Sequence, residues 1–257
     1  MRERPNAPAR HAGTTGATPC TMDTDNAQRL QWLIEHRHSS RAPYDPGWRV
    51  TESELELIVD AARWAPTAHN MQNFRLVVVD DRAVLDQLGA VRSTVSPTFI
   101  IENYHQLSWS AEELAARRVG ILGATFPPAW RTDDPNRVPT NESRLLRELI
   151  AGAPMVLVAL FDPTKRAPAS EGDVLGMISL GCVLENMWLA AHVSRLDAQV
   201  VSSFSSESAE PEVRRILGVP EPWRIAFALR LGHMIEPVEQ PRVRRRPEEF
   251  VGRNHFD

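Results

Sequence analysis

Four largely apolar runs, the first of them without alternation, limit most strongly how this chain can fold. They are "FRLVVVD" at 74–80, "PMVLVALFD" at 154–162, "AQVVSSF" at 198–204 and "WRIAFALRLG" at 223–232. The first two read as strands buried on both faces, and the others as a third and fourth strand. Segments of helical period lie before and between them. Residues 26–36 carry Leu30, Leu33 and Ile34 on one side. Thr51 and Glu54 form a capping box that opens a helix through Leu55, Ile58, Val59 and Ala62. Pro66 ends it by pushing Ala65 out of the α region. Further helices are expected after Asp81, near 110–120, over 173–193, and from Pro211 to a stop at Gly218. Strands separated by helices predict α/β or α+β layering around one sheet.

The bulk numbers fit a soluble globular chain. It has 257 residues, 42% hydrophobic and 24% charged, with a formal net charge of −4. That balance gives no overall basic field to attract nucleic acid or an acidic membrane. Cys20 and Cys182 lie far apart in sequence, which argues against a disulfide framework or a cysteine metal site and for a reducing cytoplasm. Residues 1–26 hold no apolar stretch of the signal-peptide kind and read as a flexible leader, with Met22 an alternative start. The run "VLGMISLGCVLENMWLAAHV" at 174–193 approaches membrane-span length. It contains Ser179, Glu185 and Asn186 without a flanking positive cluster, so we expect a buried helix of a soluble core.

Three polar clusters stand out against this frame. "PTAHNMQN" at 66–73 joins a helix to a strand through side chains that can hydrogen-bond, and contains no glycine. "RHSSR" at 37–41 packs two arginines, a histidine and two hydroxyls into five residues. Such donors suit an anion, although Arg37 and His38 also suit a helix C-terminus. "RVRRRP" at 242–247 is a second arginine cluster near the other end of the chain, readable also as a basic tail. Residues 93–144 hold Phe99, Tyr104, Trp109, Phe126 and Trp130 among Pro127, Pro128, Pro135 and Pro139. A long insertion of that kind is expected to cover a site. There is no GxGxxG after a strand, Walker loop, HExxH or CxxC, and His36 and His38 flank an arginine, a poor setting for a metal ion.

In their order and spacing these elements resemble the FMN-dependent nitroreductase family across residues 27–257. The stretches that carry the resemblance are "RHSSR", "AARWAPTAHNMQNF", "GMISLGCVLENMWLAAHVSRLDAQVVSSF", "ILGVPEPWRIAFALRLGH" and "RRRPEEFV". The resemblance implies an α+β three-layer sandwich, a mixed but mainly antiparallel sheet flanked by helices. It also implies a homodimer with FMN at the subunit interface, and a single domain over 27–257.

By the same resemblance, Arg37, His38, Ser39 and Arg41 grip the FMN phosphate and ribityl chain. Pro66, Thr67, Ala68, Asn70 and Gln72 line the ribityl and isoalloxazine, and Arg244 with Arg245 or Arg246 returns to the phosphate. Ser202 and Ser203 place backbone N–H groups near the flavin N5, as the implied catalytic positions. The sequence departs from the family at Asn73-Phe74, where Pro-Trp commonly stands. The implied activity is hydride transfer from NADH or NADPH to FMN, then reduction of a nitroaromatic, quinone or similar flat acceptor by ping-pong exchange. Two alternatives stay open: a flavin-dependent dehydrogenase or oxidase of a small metabolite, and a low-turnover FMN-binding module.

Overall fold

A computed structural model describes residues 24–94, 101–102, 108–125, 147–168, 174–238 and 241–255. The chain divides into two units, Met1–His36 and Arg37–Asp257. The described part of the first is helix α1, Thr24–His36, which buries none of its residues. An Arg29–Asp25 ion pair one turn apart braces it, and His36 stacks on Trp32 with ring centroids 4.3 Å apart. The leader 1–26, including Cys20 and Met22, lies almost wholly outside the described residues.

The second unit is built on a four-stranded sheet in the order β1-β4-β6-β5, with every neighbour antiparallel. The strands are β1 Phe74–Val79, β4 Met155–Phe161, β5 Asp197–Val201 and β6 Arg224–Gly232. A separate parallel pair joins β2 Ser108–Trp109 to β3 Ile121–Leu122. The helices are α2 Glu52–Arg63, α3 Arg82–Gly89, α4 Ala111–Arg117, α5 Val174–Val193 and α6 Glu210–Leu217. Four of these five start or stop where local chemistry dictates. Thr51 and Glu54 form the expected capping box on α2, and Asp81 caps α3 through the Val84 N–H. Ser110 and Glu113 repeat the capping box on α4, and Gly218 closes α6 with φ 64°. An accepted cap bond is worth about 1 kcal/mol to its helix.

Two apolar cores give the three layers. On one face of the sheet Val156, Val158 and Leu160 of β4 pack with Leu85 and Leu88 of α3, Val213 of α6 and Phe204. On the other, Leu157 and Ala159 of β4 and Leu229 of β6 pack with Ile58 and Ala62 of α2 and Val183 and Met187 of α5. This is the α+β sandwich that the sequence led us to expect.

Three expectations need correction. β1 is not buried on both faces: it lies at the sheet edge, with Arg75 and Val78 exposed. Its unbroken apolar run reflects β propensity rather than a central position. The third strand stops at Val201, because Ser202 leads into a 3-10 turn at Ser203–Ser205. There the Ser205 N–H and hydroxyl both donate to the Ser202 carbonyl and the Ser206 hydroxyl to that of Ser203, local bonds that compete with a sheet ladder. Finally, α5 is buried on one face only. Ser179, Val183, Met187, Ala190 and Ala191 face the core, while Val174, Met177, Ile178 and Val193 are exposed. Of the aromatics expected in the 93–144 insertion, Trp109 lies in β2. Phe99, Tyr104, Phe126, Trp130 and the prolines lie outside the described residues.

Candidate functional site

After α1 the chain runs extended, and its side chains alternate. Ser40, Ala42 and Tyr44 are buried while Arg41 and Pro43 are exposed. Arg37, His38, Ser39 and Arg41 line a cavity of about 180 Å³ whose remaining wall is Gly120, Ile121, Leu122, Pro241, Arg242, Val243 and Arg244. Two arginine clusters more than 200 positions apart in sequence thus meet on one concavity. Although Arg41 reaches solvent, desolvation of its head in the cavity wall lowers its pKa from the ordinary value, and a guanidinium still remains charged in a protein.

Helix α5 backs the Arg37 and His38 part of this wall. The Arg37 Nε lies 3.0 Å from Glu185 Oε1, and its guanidinium sits over the Trp188 ring at 4.5 Å. The Trp188 indole N–H donates to the His38 carbonyl at 3.1 Å, and the His38 and His192 rings meet edge to face at 6.2 Å. Glu185, Trp188 and His192 fall at i, i+3 and i+7 of one helix face. Sequence reasoning missed Glu185 and Trp188, because an apolar helix with one acid and one indole reads as core.

Another part of the wall comes from the C-terminal arm. Arg242 and Arg244 line the cavity. Arg245 lies over the Phe250 ring at 5.5 Å, and Arg246 pairs with Glu248 at 3.2 Å and with Glu249. Of the arginines assigned to this wall from sequence, Arg244 stands on it, whereas Arg245 and Arg246 are engaged elsewhere, and Arg242 was not anticipated. The roof is the inserted segment: Gly120, with φ 101°, turns the chain into β3. An ion pair from Arg118 at the C-cap of α4 to Glu249 ties this roof to the arm.

The polar turn at 66–73 is a second constellation. His69, Asn70 and Gln72 all have positive φ, at 51°, 53° and 46°. Asn tolerates that region, but such backbone at a non-glycine residue costs on the order of 1–3 kcal/mol and gathers at functional sites. Thr67 Oγ1 accepts the Gln72 N–H at 3.1 Å, and the Ala68 N–H donates to Ser179 Oγ of α5 at 3.0 Å. Gln72 Nε2 donates to Asn70 Oδ1 at 3.0 Å on the exposed side of the turn. This leaves an amide donor on Asn70 and a carbonyl acceptor on Gln72 for an outside group. Asn73, where the family pattern is broken, is buried and structural. Its carbonyl accepts the Asp162 N–H at 3.0 Å and its amide reaches the Lys165 carbonyl at 3.4 Å. The Thr164 hydroxyl, donating to Asp162 at 2.5 Å, holds that carboxyl below its ordinary value.

Neither Pro66, Thr67, Ala68, Asn70 and Gln72 nor Ser202 and Ser203 line the arginine cavity. Within one chain the structure assembles the anion cluster and leaves the turn as a separate, outward-facing set. Among the described residues no group of three His, Cys, Asp or Glu side chains is placed to hold a metal ion.

Comparison with known proteins bears on both sets. The profile of the Nitroreductase family matches residues 34–233, a span that includes the anion segment, the turn and both serines. The curated proteins contain no match. An FMN-dependent nitroreductase of Clostridium difficile R20291 aligns over 87% of this chain and 98% of its own, at 16% identity and TM-score 0.52. A nitroreductase-like protein of Desulfovibrio desulfuricans, solved in complex with FMN, aligns over 89% and 98% at 19% identity and TM-score 0.56. A nitroreductase family protein of Clostridium difficile 630 aligns over 87% and 97% at 18% identity and TM-score 0.55. At such identities the likeness is one of fold.

Proposed function

This chain belongs to the nitroreductase family, and from that premise we propose that it is a homodimeric FMN-dependent oxidoreductase. It takes hydride from NADH or NADPH and reduces a nitroaromatic, quinone or similar flat acceptor. The observation that carries the reading is the cavity where Arg37, Arg41, Arg242 and Arg244 converge with His38 and Ser39. A phosphate dianion needs several charge-assisted donors, and this set supplies them from both ends of the chain. When bound there, FMN would supply the two-electron chemistry, accepting and returning hydride.

The residues fit that group in two further respects. Asn70 and Gln72 present an amide donor and an acceptor of the kind a pyrimidine-dione edge requires. Ser202 and Ser203 follow the last paired residue of β5, so small side chains leave the backbone approachable. Because the turn lies off the arginine cavity, a second chain is needed to complete the site. The exposed stripe Val174, Met177, Ile178 on α5 is the surface for it. The turn contacts α5 near its start, at Ser179, and the anion segment contacts it further along, at Glu185 and Trp188. An antiparallel meeting of two such helices would set the turn of one chain beside the arginine cavity of the other. The protein acts in this reading as a soluble cytoplasmic enzyme with no nucleic-acid or membrane partner. Anaerobic mixing with NAD(P)H tests it: fast bleaching of bound flavin supports the reductase. No bleaching with either nucleotide leaves a flavin-binding module or a dehydrogenase with another donor.

A further inference from the structure

The cavity exists only if residues 39–44 keep one phase. A slip by one residue would turn Ser39 and Arg41 into the core and Ser40 and Ala42 toward the cavity. Ser40, which does not line the cavity, is where that phase is fixed. Its N–H donates to the Ala198 carbonyl at 3.0 Å, and its hydroxyl donates to Asp197 Oδ1 at 2.7 Å. Its carbonyl accepts from the Tyr44 hydroxyl at 3.1 Å and from Arg230 Nη2 at 3.0 Å.

Arg230 is the centre of the anchor. It is fully buried on β6, a rare place for a guanidinium. The same Nη2 also donates to the Ala42 carbonyl at 2.8 Å, and Nε donates to Gln199 Oε1 at 2.9 Å. Its guanidinium carbon lies 3.8 Å from the centre of the Tyr44 ring. Asp197, which makes no ion pair with Arg230, spends its second oxygen on the Met234 N–H at 2.7 Å. Burial lowers the Arg230 pKa, opposed by Tyr44 and Asp197, and burial pushes the Tyr44 phenol up, so Tyr44 stays a neutral donor. A well-packed apolar side chain generally serves stability as well as a buried charge does. What an apolar side chain could not do is grip the carbonyls of Ser40 and Ala42 together.

We propose that Arg230, with Tyr44 and Asp197, is a positioning residue: from strand β6 it fixes the phase of residues 39–44 and so presents Ser39 and Arg41 to a phosphate. The inference rests on the reading of the cavity as a phosphate site. It concerns the phosphate alone, so the two flavins that differ only by that group, FMN and riboflavin, are the probes. Each is titrated by fluorescence quenching into the full chain freed of flavin. The wild type should prefer FMN by about a hundredfold or more. Arg230→Lys keeps the charge but loses the planar fork, and should cut that preference about tenfold by weakening FMN alone. Tyr44→Phe, which removes one bond to Ser40, should cut it severalfold. If Arg230→Lys does not fold, Tyr44→Phe and Ser40→Ala decide by the same ratio. Variants that keep the wild-type ratio, or weaken both flavins in parallel, overturn the positioning role. A wild type without preference for FMN overturns the phosphate reading itself.

Discussion

Arg37 is held on one side by Glu185 and on one face by Trp188, which leaves part of its guanidinium for an anion. A hydrogen bond to a charged group contributes roughly 1.5–3 kcal/mol. Arg37→Ala is therefore expected to weaken FMN about ten- to a hundredfold, at about 1.4 kcal/mol per tenfold. Unchanged retention in equilibrium dialysis would place the phosphate elsewhere. A second residue-scale prediction concerns Ser202 and Ser203. If the backbone N–H is the working group, alanine at either position leaves the rate of anaerobic flavin bleaching nearly unchanged. Proline, which deletes that donor, slows it far more. An alanine variant as slow as the proline one would assign the work to the hydroxyl. The motif "RHSSR" made the outward residues legible from sequence. The inward turn of Ser40 was not, because its cause is Arg230, 190 positions later.

Elements were legible where their signals are local. The capping box at Thr51 and the stop at Gly218 were read from sequence, and the helices after Asp81 and near 110–120 were placed, whereas the capping box at Ser110 went unread. Strand neighbours are not local, so the run 74–79 gave no sign of lying at an edge, nor helix α5 of leaving one face uncovered. The roof of the cavity is the element with the clearest test. Burial would raise the Glu249 carboxyl, but the Arg246 backbone N–H and the Arg118 guanidinium outweigh this and hold it below its ordinary 4.5. A lowered folded pKa means that the tie is present above 4.5 and lost as pH falls through the lowered value. Glu249→Gln should therefore speed hydrogen exchange in residues 108–122 at neutral pH. Acidification through that lowered value should bring the wild type to the same state. Equal protection of both proteins at neutral pH would deny the tie a role.

At the scale of the molecule, the proposed dimer would cover the exposed α5 stripe and bring the turn of one chain to the cavity of the other. Ile178→Asp is expected to give a monomer in sedimentation that holds FMN poorly, because a charge there cannot be buried unpaired. Removing the chain from Arg242 onward should likewise cost FMN and dimer. A stable monomer with full FMN affinity would contradict both. If donor and acceptor take turns on one flavin face, initial-rate lines should be parallel, and intersecting lines would speak against a shared site. All of this depends on one property, which the visible spectrum of the purified protein under anaerobic conditions reads most directly. The account predicts a yellow protein with one FMN per chain whose flavin band bleaches on addition of NADH or NADPH. A colourless protein that takes up no added FMN would contradict it.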